Sequence, residues 1–128
     1  MPNTIDAVTT CAGKDLARRP LTIVLWWGLP IAIGIVSGLL HLSFRAVAGV
    51  WAAAFVWMAG GCLLNAWRCR RVHCYISGPV LLFGAIFQGL VASGVTNVGP
   101  RLAGNAVNAT LILALLSFVP EMVWKRYA

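Results

Sequence analysis

Four long apolar segments separated by short polar stretches dominate the pattern of this chain. They lie at about residues 21–40, 47–67, 79–98 and 102–119. Each holds roughly 20 mostly apolar residues, and at about 1.5 Å per residue such a helix crosses a hydrocarbon layer about 30 Å thick. The sequence therefore predicts an all-α, polytopic membrane protein whose four transmembrane helices form two hairpins.

The polar residues at the start of the chain form a separate region. Residues 1–19 are predicted to be a cytoplasmic tail, and residues 20–128 to be the membrane domain. The tail contains Asp6 and Asp15, and the apolar run that follows exceeds the roughly 7–15 apolar residues of a signal peptide. We therefore expect the first apolar segment to be retained as a helix.

Composition supports a membrane location. Hydrophobic residues make up 60% of the chain and charged residues 10%, against about 25% charged residues in ordinary soluble domains. The basic excess sits in short clusters beside apolar segments, which is typical of membrane topology signals and not of nucleic-acid binding. The predicted partners are the lipid bilayer and other membrane subunits or a second copy of the chain, with no nucleic acid.

The distribution of basic residues predicts the orientation. Arg45 and Arg101 lie in the first and third loops, whereas the other eight of the ten Lys and Arg residues lie in the tail, the second loop and the carboxyl end. Loops rich in Lys and Arg stay in the cytoplasm. We therefore expect both ends inside, in a bacterial inner membrane. The eight residues are Lys14, Arg18, Arg19, Arg68, Arg70, Arg71, Lys125 and Arg126.

Prolines and tryptophan give further expectations for individual helices. Pro30 should kink the first helix, because proline removes a backbone donor and clashes with the preceding turn. Pro79 should open the third helix, with Ser77 or Gly78 as its cap. Trp51 should lie at the headgroup level near the start of the second helix.

Small and amide residues predict how the helices pack. Gly34 and Gly38 allow close approach of another helix to the first one. A stripe of small residues runs along the third helix. Gln88 of the same helix should hydrogen-bond a neighbouring helix. Pro120 and Glu121 are expected to end the fourth helix. The stripe consists of Ala85, Gly89 and Ser93.

The four cysteines are the main candidates for chemistry. By the predicted topology all lie near the cytoplasmic side, where thiols stay reduced, so we expect free thiols and no disulfide framework. If the second helix continues past residue 67, Cys62 and Cys69 are two turns apart, and His73 follows one turn later on the same face. Cys74 comes directly after His73.

Thiolates and imidazoles bind soft or borderline cations such as Cu, Zn or Hg. The predicted metal ligands are therefore Cys62, Cys69, His73 and Cys74. The simpler interpretation is that Cys62 packs as a small apolar residue and that the nearby arginines only set topology. The other histidine, His41, is predicted on the opposite side of the membrane, and so outside this set.

The stretch from Asn65 to Pro79 reads N-A-W-R-C-R-R-V-H-C-Y-I-S-G-P. It resembles a group of small four-helix bacterial membrane proteins with the pattern N-A-x-R-C-x-R-x-H-C-Y-x-x-G-P, followed by a hydrophobic hairpin that ends in P-E and a basic-aromatic tail. Arg70 stands at the variable position between C and R, where glycine is expected in that group. The resemblance covers the second half of the chain and implies a link to metal handling, with a looser similarity to small mercuric-ion transporters.

Three functions remain open from the sequence. The first is a small membrane protein that binds or passes a thiophilic metal ion, and the second is an accessory subunit of a larger membrane complex. The third is a membrane thiol–disulfide enzyme, which ranks last because its cysteine pairs would need to face the oxidising side. The sequence thus favours a protein that is not an enzyme.

Overall fold

In a computed structural model, Cys11 and residues 13–124 are described, and every regular element among them is helical. Four helical stretches of this part are long and apolar enough to cross a membrane. The predicted all-α class with four such stretches is confirmed. Asp6 in the tail and the predicted anchor residues Lys125, Arg126 and Tyr127 lie outside the described residues.

The described helices differ in length from the predicted spans. Helix α1 covers Pro20–Leu39 and α2 covers Phe44–Cys69, with the Ser43 hydroxyl capping α2 by accepting from the Ala46 amide. Helix α3 covers Val72–Ser93. The fourth stretch consists of α4, Pro100–Leu116, and a short α5, Val119–Val123.

Pro30 coincides with an irregularity in α1. The turn at Val24–Gly28 is π-helical, and the α-helix resumes at Leu29. Because Pro30 has no N–H and its ring crowds the carbonyl of the preceding turn, a regular α-helix cannot pass through it unchanged. A widened turn is one of the usual ways in which helices absorb such a residue. The irregularity therefore lies where the sequence predicts it.

The junction between α2 and α3 is much shorter than predicted. Helix α2 ends when Arg70 adopts a left-handed conformation with φ of 49°, and α3 begins at Val72. The expectation that the third helix starts at Pro79 is wrong, because Pro79 lies inside α3. Membrane helices tolerate proline where neighbouring side chains satisfy the freed backbone groups. Cys69 and His73 consequently belong to different helices and do not share one helical face.

The core is built around the α2–α3 pair, with α1 against α2 and α4 against α3. Gly34 and Gly84 provide the close approaches. A Cβ on Gly34 would lie 2.7 Å from the Trp51 ring, and one on Gly84 would lie 2.6 Å from Thr110 Cγ2. Trp51 is therefore buried against α1, and its location at the headgroup level stays a prediction.

The predicted packing stripe on α3 is only partly correct. Ala85 is buried, but Gly89 has open space around its Cα and Ser93 is exposed. The close contact is made instead by Gly84, one position earlier. The amide of Gln88 donates to the carbonyl of Ala103 at 2.9 Å, which confirms the predicted interhelical hydrogen bond.

Candidate functional site

A buried polar cluster lies at one end of the bundle, where α2 ends, α3 begins and α5 packs against α3. Its members come from four separate parts of the chain and are Asp15, Asn65, Arg71, His73 and Glu121. Asp15 and Glu121 are two of the three acidic residues in the whole sequence. Their scarcity in a strongly basic chain is the one signal that could have marked them, and the sequence analysis did not use it.

Arg71 connects the two carboxylates of this cluster. Its Nη1 donates to Oδ2 of Asp15, and its Nε and Nη2 lie 3.3 Å from the oxygens of Glu121. The arginine side chain is 10% exposed and both acid side chains are more deeply buried. Buried charges need such pairing, because an unpaired ion in a medium of low polarity is very costly.

The surroundings of Asp15 and Arg71 favour the ionised form of each side chain. Burial opposes ionisation of Asp15, but hydrogen bonds from Asn65 and the Ala17 amide and the charge of Arg71 outweigh it and lower the pKa of Asp15. Burial likewise opposes the charge on Arg71, yet the hydrogen bond to Glu121 and the charge of Asp15 raise its pKa above the usual value. The pair is therefore an ion pair at neutral pH.

Glu121 also connects to the start of α3. The expectation that it simply ends the fourth helix is wrong, because α5 continues and Glu121 turns inward. Its Oε1 accepts from the His73 backbone amide at 3.1 Å and lies 2.7 Å from Nδ1 of the same residue. The first amides of a helix have no partner within the helix, so this carboxylate satisfies one of them.

The contact with Glu121 sets the orientation of the His73 ring. A carboxylate only accepts hydrogen bonds, so Nδ1 carries a proton, and in the neutral ring Nε2 then presents its lone pair. The ring stacks on Phe118 with centroids 4.0 Å apart. Its Nε2 lies 3.2 Å from Sγ of Cys74. This is the arrangement in which a carboxylate orients an imidazole so that its second nitrogen can bind a metal.

Two free thiols complete the site. Cys62 on α2 and Cys74 on α3 are both buried free thiols, and they pack in the same buried cluster. The hydroxyl of Ser77 lies 3.3 Å from Sγ of Cys62, and Nδ2 of Asn65 lies 3.7 Å from Sγ of Cys74. Cys62 and Cys74 thus lie in one cluster at the α2–α3 interface, and Sγ of Cys74 lies next to Nε2 of His73.

The other two cysteines form a disulfide, between Cys11 and Cys69. The expectation that all four cysteines are free thiols is therefore wrong for this pair. That expectation came from the predicted cytoplasmic location, which does not indicate which residues are adjacent in space. The bond joins the tail to the last residue of α2 and removes Cys69 from the sulfurs available as thiolates.

The structure therefore divides the predicted ligand set. Cys62, His73 and Cys74 lie together, whereas Cys69 is bonded to Cys11. His41 precedes the start of α2, at the end of that helix opposite to Cys69. Among the described residues, no group of three or more His, Cys, Asp or Glu side chains is arranged to hold a metal ion.

Comparisons with known proteins add nothing to what the residues of this site show. No protein-family model, no curated protein and no solved structure matches the chain.

Proposed function

We propose that this chain is a small multi-pass protein of a bacterial inner membrane that binds a thiophilic metal ion between Cys62 and Cys74, with His73 beside them. The observation that carries the proposal is that two buried free cysteines from different helices pack in one cluster beside a histidine nitrogen, because thiolates and imidazole are ligands that soft cations prefer. Passage of the ion towards the cytosol would follow from binding at this end of the bundle.

His73 strengthens the proposal through its second ring nitrogen. Nδ1 is held by Glu121, and Nε2 lies 3.2 Å from Sγ of Cys74. A histidine oriented in this way needs no rearrangement of its own before it binds an ion held by Cys74. Removal of a residue that orients a metal-binding histidine, as Glu121 orients His73, typically lowers metal affinity by about 10–100-fold.

The size of the donor set favours particular ions. Structural zinc takes four protein ligands, and catalytic zinc takes three. Two thiols and one nearby imidazole suit an ion that forms strong bonds to few soft ligands, such as Cu(I) or Hg(II). We therefore expect the site to bind Cu(I) or Hg(II) more tightly than Zn(II).

Orientation is part of the proposal. The polar cluster and both cysteine pairs lie at the end of the bundle that carries Arg68, Arg70 and Arg71. Basic loops stay in the cytoplasm. The metal site would therefore open to the cytosol, with both ends of the chain on that side.

Metal binding to the purified protein tests the proposal. Wild-type protein in detergent is incubated with excess Cu(I) or Hg(II), desalted and analysed for metal content. We expect about one ion per chain, and a Cys62→Ser, Cys74→Ser variant should retain none. Because the ligands must lose their protons, binding should also release protons into a weakly buffered solution.

The second cysteine pair supplies a matched control. A Cys11→Ser, Cys69→Ser variant loses the same number of cysteines but keeps the proposed ligands, so it should still bind about one ion per chain. Loss of metal in this control, with retention in the Cys62→Ser, Cys74→Ser variant, would transfer the site to the other pair. Absence of metal from folded wild-type protein would contradict the proposal.

A second candidate function is that of an accessory subunit in a larger membrane complex. Gly38, Gly89 and Gly104 have open space where a side chain would be, and outward-facing small residues allow another helix to pack closely. Substitution of these glycines by leucine should then release the protein from a complex isolated in mild detergent, while leaving metal content unchanged.

A further inference from the structure

The start of the described chain lies across the end of the bundle as a strap, which we define as Cys11 and residues 13–19. The strap is attached covalently at one point, the Cys11–Cys69 disulfide. It is attached non-covalently at Asp15, which pairs with Arg71 and accepts from Nδ2 of Asn65 at 2.9 Å. The next amide, that of Leu16, donates to Oδ1 of Asn65 at 3.2 Å.

The strap contacts Asn65, and Asn65 contacts one of the two thiols. Asn65 has no exposed surface, because Asp15 and Leu16 occupy both ends of its amide. The same amide reaches Sγ of Cys74, and Cys74 packs in one cluster with Cys62. A line of direct contacts therefore leads from the strap through Asn65 to Cys74. With the strap in place, the exposure of Cys62 is 1% and that of Cys74 is 0%.

We propose that the Cys11–Cys69 disulfide is a redox latch that holds the strap closed over the thiol site and controls access to Cys62 and Cys74. When the bond is intact, the strap is fixed on both sides of Asn65. When it is reduced, the strap is held by non-covalent contacts alone, among them the Asp15–Arg71 ion pair and the hydrogen bonds to the Asn65 amide. A short segment held in this way opens locally more often than a covalently attached one. What enters the site when the latch opens rests on the function proposed above.

The chemistry of the latch is ordinary thiol–disulfide exchange. A thiolate of a reducing dithiol attacks one sulfur of the Cys11–Cys69 bond and forms a mixed disulfide, which expels the other cysteine as a thiolate. The second thiol of the reductant then resolves the mixed disulfide. The two cysteines gain two electrons and two protons, and the reductant becomes a disulfide. Cys62 and Cys74 are not consumed in this exchange.

The location of the bond favours a switch over a permanent link. The strap and the α2–α3 junction carry Lys14, Arg18, Arg19 and Arg68, which marks the end expected to face the reducing cytosol. Disulfides in such compartments are usually transient, and many report redox state.

Alkylation kinetics of Cys62 and Cys74, without metal, test the latch. The matched pair is oxidised wild-type protein and the Cys11→Ser, Cys69→Ser variant, because each has the same two free thiols. We expect a maleimide to modify both cysteines about tenfold faster or more in the variant, since the strap then opens more often. Asp15→Asn, which weakens the strap but keeps the disulfide, should give an intermediate rate.

Two readouts keep the result interpretable. Circular dichroism and the thermal midpoint establish that each variant is folded. If the double variant does not fold, wild-type protein treated with dithiothreitol replaces it, and mass spectrometry scores modification at Cys62 and Cys74 separately. Equal rates with and without the disulfide in folded protein would overturn the latch. Because no metal is used, that outcome is independent of whether the metal site exists.

Discussion

The Oε1 atom of Glu121 lies 2.7 Å from Nδ1 of His73, although 48 positions separate the two residues along the chain. The contact joins the end of the last described helix to the start of α3 and fixes which ring nitrogen faces the thiols. Replacing Glu121 by Gln removes the charge that orients the ring, so metal affinity should fall about 10–100-fold. Competition with a chelator of known affinity measures this.

The Glu121→Gln result needs a control for general loosening of the fold. Glu121 also pairs with Arg71, so the thermal midpoint of the variant is recorded in the same detergent. An affinity unchanged from wild type would show that the charge of Glu121 is not needed to orient His73 for metal binding.

Removal of Arg71 should be among the most destabilising single changes. Arg71→Met leaves the carboxylates of Asp15 and Glu121 buried without their shared cation. Breaking a buried ion pair from one side typically costs about 3–5 kcal/mol. Unfolding in mixed micelles gives the free-energy change, and Arg70→Met, an exposed neighbour, is the control. Adding Asp15→Asn to Arg71→Met should recover part of the loss; a purely additive result would mean that the two residues are not coupled.

Stability should depend on acidity through Asp15. The pKa of Asp15 is lowered in the fold, so its ionised form stabilises the protein above its unfolded pKa of about 3.9, and this contribution is lost as pH falls through the lower folded pKa. The thermal midpoint of the wild type should therefore drop more between about pH 5 and 3 than that of Asp15→Asn. Parallel curves for the two proteins would contradict this assignment.

Two glycines of α3 offer a direct test of helix packing. A Cβ on Gly84 would lie 2.6 Å from Thr110 and 3.2 Å from Phe55, whereas Gly89 has nothing within 4 Å. Gly84→Ala should therefore destabilise the protein by about 1–3 kcal/mol through overpacking. Gly89→Ala removes the same flexibility without a clash and should be neutral or slightly stabilising. Similar effects for both variants would show that α3 and α4 are not packed at Gly84.

Reporter fusions test the proposed orientation. A fluorescent protein fused after residue 71 should fold in the cytosol and fluoresce, and one fused after residue 97 should not, because the basic loop between α2 and α3 is expected inside. Alkaline phosphatase at the same positions should give the opposite pattern. Activity of the phosphatase at residue 71 would reverse the topology. The Cys11–Cys69 disulfide would then lie in an oxidising compartment, as a permanent link.

Much of the fold was accessible from the sequence. Long apolar runs predict membrane helices, because a helix is one of the few structures that satisfies its own backbone in lipid. The residues at which the helices begin and end were harder to predict from the sequence. The sequence predicts that a helix starts at Pro79, yet Pro79 lies within α3. The true junction between α2 and α3 depends on the left-handed conformation of Arg70. The glycine expected at this position in the proteins that the stretch resembles is the one sign of a positive φ here, because glycine adopts that conformation readily and an arginine by itself does not indicate it.

Only part of the candidate site could be predicted from the sequence. Cys62, His73 and Cys74 were identified from their chemistry, and the structure brings these three together. The disulfide partner of Cys69 and the roles of Asp15 and Glu121 were missed. These contacts span 48 to 58 positions in the chain, and helical spacing describes only residues within a few turns of each other.

The sequence alone determined that this chain is helical and has four segments able to cross a membrane, because hydrophobic length and backbone satisfaction are local properties. It also determined which side chains have ligand chemistry. The tertiary structure decided which of them meet. It joined Cys11 to Cys69, placed Cys62 and Cys74 in one cluster, and enclosed Arg71 between two acids. Such pairings depend on how helices pack and on the cost of burying charge, and both are set by residues distant in sequence.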